Sequence, residues 1–386
     1  GVATFSGVGV SGTAGVSYTL TFSTAGLTSA TQNITVPITY TALKAGSSHT
    51  CGLTSAGAAY CWGINSQGAL GDGTTAARLN PVAVQGGLVF TAVTAGAYHS
   101  CGLTTAGAAF CWGSNTHGEL GDGTTTDRLT PTAVKGGLVF TTLAAQYFST
   151  CGLTSAGAAY CGGFKNDGEL GDGTTTQRLT PVAVQTGIVF TVLTVGDYHG
   201  CGLTSAGAAH CWGFVDAGGV GDGTTIDRLT PVAVQGGLVF TALTGGGYHT
   251  CGLTVARAAY CWGSNAVGEL GDGTLTKRTT PVAVQGGLSF TALAAGNGHV
   301  CAITTAGAAY CWGGNGDGQL GDAATTVRPT PVAVQGGLVF TALTAGSRHS
   351  CGLTNTGAYC WGSNVSGQLG DGTTTGRLVP VAVSRP

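Results

Sequence analysis

The sequence predicts an all-β protein, a seven-bladed β-propeller with a short N-terminal β segment, and three observations carry the prediction. A unit of fifty residues recurs, opening at Cys51, Cys101, Cys151, Cys201, Cys251, Cys301 and Cys351, with one residue missing from the last copy. Each copy offers four short runs rich in Val, Phe, Tyr, Thr and Leu, bounded by Gly, Asp and Pro. No segment carries a helical apolar period of useful length. Seven copies of a four-stranded unit bury their faces when they pack as blades around a channel.

Residues 1–37 stand outside the repeat, and residues 38–386 are assigned to the propeller. In the leader, Thr4–Val10, Val16–Ser23 and Thr31–Val36 read as strands broken by Gly and Ser turns. In the second repeat the expected strands are Val89–Thr94, His99–Thr104, Ala108–Gly113 and Pro131–Val134.

Cysteine is the sharpest compositional signal. There are fourteen, two per repeat. The second and third strands make a hairpin that sets Cys51 opposite Cys61, and directly opposed Cβ atoms lie near disulfide distance. The same holds for Cys101 with Cys111, Cys151 with Cys161, Cys201 with Cys211, Cys251 with Cys261 and Cys301 with Cys311. The shortened copy keeps the opposition, Cys351 facing Cys360 across a turn at Asn355–Thr356. Disulfides are favoured over buried thiols, and over a metal site, which would want CxxC or added histidine ligands. Persistent disulfides imply an oxidising, extracellular or cell-surface location.

The remaining composition excludes other classes. Only 8% of residues are charged and the net charge is −2, so nothing favours nucleic acid or an anionic membrane. No apolar run approaches the roughly 18 residues that span a bilayer, so no membrane insertion is expected. A basic-then-apolar secretory signal is missing too, as in a mature secreted form. There is no nucleophile elbow, phosphate-binding GxxxxGK or HExxH, so catalytic residues, cofactors and metals are expected to be absent.

Residues present in every copy read as framework. His49, His99, His199, His249, His299 and His349 share one position, with Ser149 in the third copy, and each is expected to cap its own blade by bonding a neighbouring loop. The loop pairs are Asp72 with Arg78, Asp122 with Arg128, Asp172 with Arg178, Asp222 with Arg228, Asp272 with Arg278, Asp322 with Arg328 and Asp371 with Arg377. Each Asp is expected to accept backbone N–H groups in a turn, and each Arg to bridge to it. Trp62, Trp112, Trp212, Trp262, Trp312 and Trp361 are placed between blades or against the disulfides; Gly162 replaces the third and should leave blade three poorly packed or notched.

The copies differ in two loops that leave one face of an up-and-down blade, those after the first and third strands. Aromatic residues gather there in blades three and four: Tyr147, Phe148, Phe164, Tyr198 and Phe214, beside Lys165, Asp167, Asp197 and Asp216. Exposed aromatics rimmed by charge serve as interface anchors. The alternative is that duplicated loops drifted and the aromatics pack locally. The sequence leaves both open.

Residues 95–134, with Trp112–Gly113, Asn115 and the Gly118-x-Leu120-Gly121 run, resemble the regulator of chromosome condensation (RCC1) type repeat. The resemblance covers residues 38–386 and implies a seven-bladed propeller. Such propellers include a nucleotide exchange factor for a small GTPase, ubiquitin-ligase modules and secreted bacterial inhibitors that cap an enzyme. The doubled cysteines depart from the family and favour an extracellular bacterial member, against an exchange factor. The leader resembles the closing strands of bacterial immunoglobulin-like domains. The expected function is therefore non-catalytic contact with protein. One version is self-assembly into a fibre or sheath through the leader strands; the other is a loop face that grips a protein, or a glycan.

Overall fold

The computed structural model describes residues 17–23, 29–35, 38–164 and 166–384. The strand expected at Thr4–Val10 lies outside them. Strands β1 (Ser17–Phe22) and β2 (Ala30–Thr35) pair antiparallel as a separate two-stranded sheet. All other strands form seven four-stranded antiparallel sheets, each built from consecutive strands.

Blade one shows the plan: β3 (Tyr40–Ala45), β4 (His49–Thr54), β5 (Ala59–Gly63) and β6 (Arg78–Ala83). The first strands of the blades line the channel, and the fourth strands are outermost. In blade two the fourth strand runs Arg128–Ala133, three residues earlier than the pattern suggested. Its register shifts between Arg128 and Thr132. Pro131 sits in that shift on the outer edge, where its missing N–H breaks no ladder bond.

The hairpin places Cys51 opposite Cys61, and every blade carries its own bridge. The paired Cα atoms lie 4.1 Å apart in blade one and 4.0 Å apart in blade seven. No free cysteine remains among the described residues.

Among the described residues each blade is built from consecutive strands, with none exchanged to close the ring. Blade one joins blade seven by the contacts that join the other blades: Trp62 Nε1 donates to the Gln368 carbonyl at 3.0 Å, and Ala45 N donates to Thr344 Oγ1 at 3.0 Å. Each tryptophan crosses to the preceding blade. Trp112 donates to the Ala69 carbonyl at 2.9 Å and packs with Cys51, Cys61, Leu53, Leu70 and Phe90. Gly71, at φ +67°, lets the chain pass under that ring, and a Cβ there would lie 2.8 Å from it.

Gly162 therefore deprives blade two, not blade three, of its indole. The blade-two core falls into two clusters, Cys101–Cys111–Leu120 and Leu103–Ala109–Phe140. A cavity of about 20 Å³ remains between blades two and three, lined by Leu120, Phe140, Gly162 and Pro181. Here Pro181 faces Gly121, where Trp112 faces Gly71 in the first joint. A Cβ on Gly162 would meet nothing closer than 3.6 Å. Gly162→Trp is expected to raise stability by about 2 kcal/mol, less than the cost of deleting a buried tryptophan because Pro181 must move back. Urea unfolding midpoints check this; a variant less stable than the parent would show that the joint has already closed.

Candidate binding face

The blade-to-blade frame is a set of repeated polar contacts. His49 Nε2 lies 2.8 Å from Ser100 Oγ in the next blade, and Ser100 Oγ donates to the Ala69 carbonyl at 2.9 Å. Since that hydroxyl hydrogen is used, His49 Nε2–H is the donor; Nδ1 has no partner among the described residues, and burial keeps the ring neutral at neutral pH. The same link joins His99 to Thr150, His199 to Thr250, His299 to Ser350 and His349 to Thr50. The histidines thus tie neighbouring blades strand to strand, and do not cap loops of their own blades. Burial drives their pKa values down, to about 4 for His49 and about 3 for His99, His199, His299 and His349. For His249 the partner position is Val300, which has no hydroxyl, and neither of its ring nitrogens has a partner among the described residues.

Each long loop is tied from within. Asp72 Oδ1 accepts from Thr74 N, Thr74 Oγ1 and Asn65 Nδ2, and Oδ2 pairs with Arg78 Nη2 at 2.7 Å. Burial alone would raise the Asp72 carboxyl, but the Thr74, Arg78 and Asn65 hydrogen bonds outweigh it and hold the pKa low. Arg–Asp pairs recur at Asp122, Asp172, Asp222, Asp272, Asp322 and Asp371. Asn65 matters as much: its Nδ2 also reaches the Thr74 and Ala76 carbonyls, while its Oδ1 accepts from Leu70 N.

Departures from this frame gather in blades three and four. Lys165 and Val215 stand where the other blades carry the loop asparagine. Ser149 replaces the histidine, its counterpart hydroxyl is lost at Gly200, and Gln146 occupies a position that is glycine in every other blade. The changes are linked: the other glycines lie against the histidine ring, so removing the ring makes room for the glutamine. The first strand of blade three also runs one residue longer, Phe140–Gln146, pairing Gln146 with Ser149 across a two-residue turn. Tyr147 in that turn has φ +37°. A bulky residue in the left-handed region is strained, and such strain collects at functional sites.

That turn carries the aromatic cluster. The rings of Tyr147 and Phe148 are 4.2 Å apart, Tyr147 and Tyr198 5.3 Å, and Tyr198 and Phe214 6.1 Å. Phe164 lies 6.3 Å from Phe148. The two variable loops share one face, since Phe164 N donates to the Phe148 carbonyl and Phe214 N to the Tyr198 carbonyl. Three further members were not singled out from the sequence. His117 lies 4.8 Å from Phe148 and 5.0 Å from Phe164, Tyr98 stacks on Phe148 at 6.4 Å, and Tyr248 stacks on Tyr198 at 4.7 Å. The result is a half-exposed aromatic band from blade two to blade five.

Its polar surroundings differ from the expected rim. Asp197 is buried, accepts from Asn297 Nδ2 at 2.5 Å, and is pushed up to about 6, first by burial, against hydrogen bonds from Asn297 and Gln146. It bridges two blades near the channel mouth and offers no rim charge. Asp216 is exposed, and its carbonyl accepts from Lys277 Nζ at 2.9 Å. Asp167 is half-buried and its carboxyl is raised, by burial and then by Asp227. Lys165 lies outside the described residues. Among the described residues, no three His, Cys, Asp or Glu side chains converge as a metal site would require, and no helix is long and apolar enough to cross a membrane.

A closed ring of four-stranded blades with variable loops on one face defines a propeller of the protein-interaction class. The chain belongs to the RCC1 repeat family. Models of the regulator of chromosome condensation (RCC1) repeat match residues 56–103, 106–146, 258–303, 306–353 and 357–386, and a second such model matches 40–69, 90–119, 290–319 and 340–368. Residues 147–257 fall outside both sets. No curated protein matches the sequence. Among solved structures, Prp20p from Saccharomyces cerevisiae, described with its binding to Gsp1p and histones, superposes with TM-score 0.75 at 22% identity, covering 90% of this chain and 88% of that one. Human WBSCR16 gives TM-score 0.75 at 18% identity, covering 84% and 88%. The ectodomain of the Physcomitrella patens receptor kinase CR4 gives 0.57 at 22%, covering 84% and 74%. At these identities the likeness is one of fold.

Proposed function

We propose that the chain is a non-catalytic, extracellular binding propeller that grips a partner protein with the aromatic band on the loop face of blades three and four. One observation carries the reading: the repeat frame is abandoned where the band lies. Loop asparagine, blade-linking histidine, indole and channel glycine are all replaced between Gln146 and Val215. Elsewhere the departures are single, as at Val300 and Ala323, whereas free drift after duplication would not concentrate four kinds of loss in neighbouring blades. Large aromatics with few exposed rotamers suit an interface anchor. The seven disulfides favour an oxidising compartment, and the same architecture serves a receptor kinase ectodomain in CR4. The disulfides also disfavour an intracellular exchange factor. A planar glycan could stack on the same rings.

Placing a photo-crosslinking phenylalanine analogue at Phe148, and separately at exposed Val239 in the connection between blades, tests this on intact cells of the producing organism. A discrete adduct is expected from position 148 and none from 239. Equal labelling, or none from either, contradicts the reading. A second reading, assembly through the leader, draws on β1 and β2, which among the described residues form a two-stranded sheet of the kind that strand addition extends. Electron microscopy at native concentration separates the two: filaments select assembly, isolated rings select the binding face.

A further inference from the structure

The channel along the ring axis is a second place where one blade departs from the rest. Its cavity of about 270 Å³ is bounded by the first strands of the seven blades. One position on each strand contributes Lys44, Thr94, Ala144, Thr194, Thr244, Ala294 and Thr344. At this position the wall is thus neutral and small in every blade except the first.

The threonines are already committed as acceptors. Thr94 Oγ1 accepts from Ala145 N, Thr194 Oγ1 from Gly245 N, Thr244 Oγ1 from Ala295 N and Thr344 Oγ1 from Ala45 N, at 3.0–3.1 Å. Among the described residues no acceptor takes their hydroxyl hydrogens, so four O–H donors remain to serve whatever occupies the channel. Lys44 carries the only charge among the cavity-lining side chains, and no carboxylate or carbonyl partners it among the described residues. Lys44 is exposed to solvent within the channel, and the protein walls around it lower its pKa by making its charge harder to solvate. The carboxylate near the mouth, Asp197, is engaged by Asn297 and Gln146. An unpaired ammonium among surplus hydroxyl donors lacks one thing, a negatively charged acceptor.

We propose that the channel is an oxyanion site, in which Lys44 and the threonine hydroxyls hold a small phosphate-like or carboxylate ion. The site is separate from the aromatic band, so either proposal stands without the other.

Titration calorimetry at pH 7, with ionic strength held constant by sodium chloride, tests it with inorganic phosphate in one arm and acetate in the other. The wild type is expected to bind at least one of them saturably with one site per chain; phosphate alone assigns a tetrahedral ion, acetate alone a carboxylate such as a partner's side chain would supply. Lys44→Thr places in blade one the residue that blades two, four, five and seven already use, and is expected to weaken binding at least tenfold. A readout on the unsubstituted protein guards against misfolding of the variant: acetylation of Lys44 by acetic anhydride, followed by mass spectrometry, should slow in the presence of the bound anion relative to chloride. Absence of saturable binding by both anions, K44T binding like wild type, or acetylation indifferent to the anion would overturn the proposal.

Discussion

Lowering the pH from 7.5 to 5 is expected to cost the propeller about 10 kcal/mol of stability, about 2 kcal/mol from each of five buried histidines. His49, His99, His199, His299 and His349 have folded pKa values of about 3 to 4. In the unfolded chain a histidine titrates near 6.5. A depressed base gives stability that is fully present above the unfolded value and is lost as pH falls through the window from 6.5 toward 3 to 4, because only the unfolded state takes up protons there. His249 shifts the same way. Asp197, raised to about 6, works in the opposite sense below that pH, as do the raised carboxyls of Asp167, Glu119 and Glu169, and they offset part of the loss from the six histidines. The low loop carboxylates, such as Asp72, add their loss only below about pH 4. Since domains are stable by about 5–15 kcal/mol, the histidines alone bring this one near its limit. Urea midpoints at pH 7.5, 6 and 5 with disulfides intact measure the effect. A flat profile would mean that the rings are not neutral and enclosed as described.

Removing the disulfides is expected to have the second large effect. Each closes a hairpin ten residues apart in sequence, nine in blade seven. Loop closure of that size stabilises by about 2–3 kcal/mol per bridge in the chain-entropy account. The sulfurs are also core, with Cys51 and Cys61 fully buried beside Trp112. Replacing both with alanine therefore adds a cavity to the lost cross-link. The double variant C51A/C61A is expected to lose about 3 kcal/mol or more, and protein reduced and alkylated at all fourteen cysteines in denaturant should fail to refold. Recovery of a wild-type melting temperature by the alkylated chain would contradict this.

Much of the frame was legible in the sequence because it depends on local spacing. A C-x9-C hairpin has one register that opposes its cysteines, and the shortened seventh copy preserves it. The common face of the two variable loops follows from strand alternation alone. What could not be read depends on contacts between copies. A periodic sequence does not say whether Trp112 packs on its own blade or on the one before, so it does not show that the void left by Gly162 lies in the joint with blade two. The same ambiguity hid the partner of each histidine, a hydroxyl in the following copy. A signal was available there: Ser149 and Gly200 change together, 51 residues apart like His49 and Ser100. Tyr98, His117 and Tyr248 join the band only because the ring curvature brings neighbouring blades' loops together. Nothing in the composition of the Asp197 loop foretold that this carboxylate would be buried against a residue two blades away.

The central claim is that the regularly repeated blades are scaffold and that contact is made where they diverge. Amide hydrogen exchange on the complex captured through position 148, compared with the free protein, tests it most directly. Protection is predicted at residues 145–148, 164, 197–198 and 214, with the connections on the opposite face unchanged. Protection confined to those connections, or to β1 and β2, would contradict the account.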